Sequence, residues 1–212
     1  MGSDTGPTSA RPLHTVFIGS FEIAVTETTV GQFRHYVAES GEIPAVWSGG
    51  IPPLSPQSPV TGILWKEAED FCHWYGLRLP TEAEWEKAAR GNDQRAYPWG
   101  ETWDPSLANT AEGAVNTVLD VGSFPGGASP YGILDMSGNV QEWVADYFDP
   151  AYYWESPQRD PVGSHLILDH GLRGGSWSSP ASQSTTFFRN SSHSVTPNNR
   201  VGFRCAKSVE EQ

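Results

Sequence analysis

Beyond Asn92 no stretch of this sequence sustains a helical period, because Gly, Pro, Asn or Asp interrupts it every few residues. A chain punctuated in this way cannot fold its larger part as a helical bundle or as a long-stranded barrel. It must use loops and short strands around a modest sheet. The 212 residues include 22 Gly and 17 Pro, a share above the usual ~12% but below the ~25–30% of low-complexity disordered chains. With 9 Trp, 9 Phe and 7 Tyr available for burial, the composition describes a globular, loop-rich protein with an aromatic core.

Regular structure is concentrated in the first 91 residues. Residues 15–25 alternate β-branched and aromatic side chains as a strand does. Thr28 or Thr29 then caps a helix over 30–39, with Val30, Phe33 and Val37 on one face and Gly41 ending it. A second helix over 66–75 carries Trp65, Ala68, Phe71, Cys72 and Tyr75 as its apolar stripe. The third begins at Thr81-x-x-Glu84, a capping box, and stops at Gly91. Later apolar pieces at 118–124, 132–136 and 201–206 read as short strands. Helices first and strands later make the class α+β. Residues 1–14 are polar and read as a flexible linker, 15–208 as the single domain, and 209–212 as a tail.

Charge narrows the function. Thirteen Lys and Arg against 25 Asp and Glu give −12, too few cations for a nucleic-acid face or for an anionic membrane surface. No apolar run approaches a membrane span, and the first dozen residues lack the apolar stretch of a signal peptide. Bacterial cytoplasm and export both remain open. Cys72 and Cys205 can be buried thiols, a disulfide or half of a metal site, and no CxxC or HExxH spacing supports zinc.

Six ordered blocks carry a family resemblance over residues 15–207. They are Val25-Thr-Glu-Thr-Thr-Val-Gly-Gln-Phe33, the 59–74 segment, Arg78-Leu-Pro-Thr-Glu-Ala-Glu-Trp85 with its helix, Tyr97-Pro-Trp-Gly100, Tyr131-Gly-Ile-Leu-Asp-Met-Ser-Gly-Asn-Val-Gln-Glu-Trp143, and Arg173-Gly-Gly-Ser-Trp177 with Gly202-Phe-Arg-Cys-Ala206. Together they resemble the formylglycine-generating enzyme, or sulfatase-modifying factor, family. The resemblance implies a single irregular domain of C-type-lectin-like fold, low in regular secondary structure. It implies that Cys72 and Cys205 correspond to a pair bridged in secreted members. It also implies a structural calcium ion held by Asp135, the carbonyls of Gly138 and Val140, and Glu142. A second calcium site starting at Asn109 and Thr110 is discounted, because the segment of its later ligands is shortened between Gly113 and Asn116.

The family's enzyme holds copper on two cysteines just after the Gly-Gly-Ser-aromatic motif. Here Ser179 and Ser184 fall at those positions, and a hydroxyl cannot replace a thiolate on Cu(I). No copper and no catalytic residue is therefore expected. The reading that follows is a non-catalytic module binding a protein or small molecule through the loop 178–196. Its candidate ligand residues are Trp177, Ser179, Ser184, Phe187, Phe188, Arg189 and His193. One variety of this scaffold is the variable protein of diversity-generating retroelements. The alternatives are a structural pseudoenzyme domain, or an enzyme of altered chemistry on the same fold. That enzyme would be of the siderophore-maturation or sulfur–carbon type and would use Arg189, His193, Tyr147 or Trp177. Arg189 and Arg204 could instead be consumed by structural ion pairs.

Overall fold

The computed structural model describes residues 1–50, 54–164, 169–193 and 195–209. Its three helices sit close to where the apolar periodicity puts them. Helix α1 spans Val30–Ser40 and opens with a capping box between Thr29 and Gln32. Helix α2 spans Trp65–Trp74, and Glu67 reaches back to the Leu64 N–H at 2.7 Å. Helix α3 spans Glu82–Arg90 behind the Thr81–Glu84 box. These ends are set by side-chain acceptors that satisfy orphan N–H groups, and so they are local and legible.

The strands are shorter than the alternation suggests. Of residues 15–25 only β1, Phe21–Ile23, is a strand, because its partner β6, Ala206–Ser208, offers three residues to pair with. The main sheet has four strands in the order β4-β3-β2-β5. Here β2 is Gln141–Tyr147, β3 Asp169–Arg173, β4 Asn190–His193 and β5 Val201–Phe203. All neighbours run antiparallel except β2 and β5. The pieces 118–124 and 132–136 are turns, bends and irregular backbone rather than strands. Their backbone bonds go to other loops, as when Leu134 N–H donates to the Val25 carbonyl.

One aromatic cluster joins the helices to the sheet. Phe33 stacks on Phe71 with centroids 5.3 Å apart, and Phe203, Tyr36 and Trp47 meet these rings edge-on. The Cys72–Cys205 disulfide lies in the same cluster and ties α2 to the segment after β5. Trp143 is fully buried from β2 and donates its indole N–H to the Ile63 carbonyl at 2.9 Å.

Residues 1–14 are not a flexible linker. Gly2 N–H donates to Glu86 at 2.7 Å, Arg90 donates to the Gly2 carbonyl, and Arg189 donates to the Ser9 carbonyl. The physical reason lies beneath them. Buried guanidinium groups of Arg90 and Arg189 have more N–H donors than Glu82 and Glu86 can accept, and the carbonyls of this segment take up the remainder. Of the tail, Val209 is bonded to Ser20, while 210–212 lie outside the described residues.

Candidate functional site

The Arg173-Gly-Gly-Ser-Trp177 motif turns the chain out of β3 and sets the geometry around it. Gly174 and Gly175 have φ of 90° and 73°, the left-handed region that favours glycine. A Cβ on Gly175 would come within 2.3 Å of the Ser184 hydroxyl, so the two serine-bearing turns pack backbone against side chain. Trp177 N–H then donates to the Asn139 carbonyl at 2.9 Å, anchoring the indole half-buried at the surface.

The positions matched to the copper cysteines are spent internally. Ser179 is buried; its hydroxyl lies 3.1 Å from that of Ser176 and accepts the Ser176 N–H at 3.0 Å. Ser184 is fully buried, and its hydroxyl donates to the Pro180 carbonyl. The chain dives further after Ser184. Arg189 is buried against Glu82 with two bonds of 2.7 and 2.8 Å, and its guanidinium lies 4.0 Å over the Tyr153 ring. Phe187 packs against Gly6 and the Arg90 guanidinium. Phe188 is half-buried, and His193 is exposed at the end of β4. The expectation that the loop 178–196 forms one displayed surface is therefore corrected. Ser179, Ser184 and Arg189 are interior, because the buried carboxylates of Glu82 and Glu86 and the N-terminal segment draw this stretch inward.

Trp177 alone among those seven residues lines an open cleft of about 740 Å³. Its walls include Val46, Leu54 and Val118, and its rim is the turn carrying Asn198 and Arg200. That turn is held by Asn198, whose carbonyl accepts the Gly62 N–H and whose side chain accepts the Arg200 N–H. The Arg200 guanidinium is exposed and donates to the Ser178 hydroxyl at 3.2 Å. Asn198 and Arg200 escaped the sequence reading. Their signal was slight: a polar run placed just before the Gly202-Phe-Arg204 block.

Beneath the motif lies a buried ionic network. Arg173 bonds Glu86 at 2.8 Å and reaches Glu82 at 3.3 Å, while Arg90 also bonds Glu86. Burial alone would raise the Glu86 pKa, but Arg173 and Arg90 outweigh it and hold it down at about 2. Asp146 receives the Glu82 N–H at 2.7 Å, yet burial and the Glu82 charge push it up to about 8. His170 is stacked between Trp65 and Tyr147 at 3.8 and 4.2 Å, with burial lowering its pKa to about 4. Tyr147 is thus occupied in a ring stack, and Arg189 in an ion pair.

Two of the expected calcium ligands, Asp135 and Glu142, lie in a second cluster of interacting charges around Arg204. Both Glu142 oxygens accept from Arg204, at 2.6 and 2.7 Å, and one also accepts the Trp85 indole N–H. Asp135 accepts the Gly122 N–H. Glu27 belongs to this cluster and was not foreseen. It accepts from Asn139, its second oxygen is buried without a donor, and burial together with the Asp135 charge raises its pKa well above the usual range.

A model of the family described as sulfatase-modifying factor enzyme 1-like domain matches residues 1–209. The chain belongs to the sulfatase-modifying factor family. Among curated relatives, the formylglycine-generating enzyme of Streptomyces coelicolor is 37% identical over 173 residues, covering 73% of this chain and 54% of that protein. The serine/threonine-protein kinase pkn1 of Chlamydia caviae is 35% identical over 99% of this chain, which spans 36% of its length. The family fold is equally visible in solved structures. PvdO from Pseudomonas aeruginosa superposes with a TM-score of 0.86 at 26% identity, covering 99% of this chain and 90% of that one. Treponema denticola variable protein 1 superposes at 0.83 with 23% identity, covering 98% and 91%. This sulfatase-modifying factor domain has no helix, among its described residues, long and apolar enough to cross a membrane.

Proposed function

We propose that this protein is a non-catalytic binding module of the sulfatase-modifying factor family, with the cleft beside Trp177 as its ligand surface. One observation carries the reading. Both cysteines of the chain are joined to each other, and the positions matched to the family's copper thiolates are serines bonded within the fold. The cleft's volume falls in the ~300–1,000 Å³ range of small-ligand sites. If the surface is diversified by a retroelement, variation belongs at exposed positions such as Thr196 and Asn199, since Ser179, Ser184 and Arg189 are interior.

The test pairs an assay with a binding surface. Incubated with copper and a cysteine-containing peptide, the protein is expected to leave the thiol unconverted by mass spectrometry. Turnover above a no-protein control would overturn the reading. Ligands captured from a small-molecule panel should lose at least ~1 kcal/mol of affinity on Trp177→Ala, the scale of an interface aromatic.

Calcium belongs to the same proposal, as a structural ion. Three carboxyl groups, of Glu27, Asp135 and Glu142, surround the single guanidinium of Arg204, and the donor-free Glu27 oxygen marks the surplus of acceptors. A hard dication suits such an all-oxygen set. Asp135 with the Gly138 and Val140 carbonyls would hold it, and Glu142, already engaged by Arg204 and Trp85, would contribute less. At 100 times its Kd, calcium would stabilise the fold by about 2.7 kcal/mol, or roughly 5–10 °C for a domain of this size. Thermal melts with calcium and with EDTA should differ accordingly, and Asp135→Asn should shrink the difference. Identical melts in the two media count against the ion.

A further inference from the structure

The cleft beside Trp177 differs from the rest of the surface in its charge. The protein carries 25 acidic residues for a net −12, and four other cavities of comparable size each include a carboxylate. One has Glu69, Glu84 and Asp160 on its walls, and the remaining three have Glu27, Glu86 or Glu22. The cleft beside Trp177 has none among its described lining residues, and has Arg200 on its rim.

The surroundings of Arg200 sharpen the contrast. Arg78, Arg90, Arg95, Arg173, Arg189 and Arg204 are each bonded to a carboxylate. Arg200 is bonded through Nη1 to a neutral hydroxyl, that of Ser178, and no described carboxylate pairs with it. A guanidinium carries five N–H donors in a planar fork, so most of this fork is left for a ligand. Its backbone is fixed by the Asn198 side chain, and Ser178 restrains its head. Below it the walls are apolar: the Trp177 indole, Val46, Leu54 and Val118.

We infer that the cleft takes a small ligand bearing one carboxylate on an apolar or aromatic body, with Arg200 holding the carboxylate and Trp177 the body. This rests on the cleft being the binding surface proposed above. A single guanidinium matches a monoanion and a bidentate fork, whereas a phosphate dianion would call for further cations that the cleft lacks. In a protein of strong negative charge, the absence of carboxylates there removes the local repulsion that an acid would otherwise meet.

The test uses three probes of one shape: N-acetyl-L-phenylalanine, its carboxamide, and phenethylamine. Binding is read from the Trp177 indole N–H resonance, assigned by its loss in Trp177→Phe. The acid is expected to bind at least tenfold more tightly than the amide, and the amine not at all. Arg200→Gln should bring the acid to the affinity of the amide while leaving the thermal midpoint unchanged, since Arg200 is exposed. Raising the ionic strength should weaken the acid and spare the amide. Equal affinity for acid and amide, or preference for the amine, would overturn the charge selectivity and leave the cleft as a binding surface. An acid preference that persists in Arg200→Gln would overturn the role of Arg200. If no probe moves the Trp177 resonance, both this inference and the cleft reading fall.

Discussion

Opening the Cys72–Cys205 bridge is expected to lower folding stability by about 4–5 kcal/mol, a large share of the ~5–15 kcal/mol that holds a typical domain folded. The bridge spans a sequence separation of 133 residues, and it closes a loop that runs from the end of α2 and holds α3 and all four strands of the main sheet. In the chain-entropy view, a cross-link over so long a loop removes many conformations from the unfolded chain. The effect should therefore show in urea unfolding as a lower midpoint after reduction. A Cys72→Ala, Cys205→Ala double variant should behave similarly, with a further loss from the buried sulfur of Cys72. A midpoint unchanged by reduction, with mass spectrometry showing two added protons, would mean that packing of the aromatic cluster alone holds α2 against β5.

Arg173→Met is the second large effect, with an expected loss of about 3–5 kcal/mol. The side chain is fully buried, and its removal takes one of two guanidinium partners from each of Glu82 and Glu86, leaving Glu86 with Arg90 alone and Glu82 with Arg189 alone. The pH dependence gives a signature that lost packing would not. In the wild type the Glu86 pKa is held at about 2, below its value in the unfolded chain. Its contribution is fully present above the unfolded pKa and is lost as pH falls through 2. Without Arg173 the folded-state pKa rises, so the variant should be less stable at neutral pH and show a flatter decline toward acid. Parallel pH–stability curves for the two proteins would contradict this account of the network.

The helices were legible because their determinants are local. Thr29, Thr81 and Glu84 cap within four residues of the groups they satisfy, and Gly41 and Gly91 stop the helices they follow. The strand β2 was not legible. Gln141-Glu-Trp-Val-Ala-Asp-Tyr147 is buried on nearly every residue, so it lacks the alternation that marks a half-exposed strand. The cysteine positions and the serines after Trp177 could be placed from the blocks around them. The inward course of 178–189 could not, because it depends on Glu82, Glu86 and the N-terminal segment, all more than 85 residues away in sequence. Arg200 was missed for the opposite reason: what matters is its guanidinium, bonded to a hydroxyl and standing on a cleft without described carboxylates, which only the folded arrangement reveals.

The short pairing of β1 with β6 has one more consequence. Phe21–Ile23 lies beside Ala206–Ser208, so the strand that follows the packed N-terminal segment and the strand near the C-terminal side of the fold run together on one edge. A domain arranged in this way can be spliced into a longer chain with little displacement of what lies on either side. Such an arrangement suits a domain that a longer protein can carry, as in the relative from Chlamydia caviae, of which this chain spans 36%.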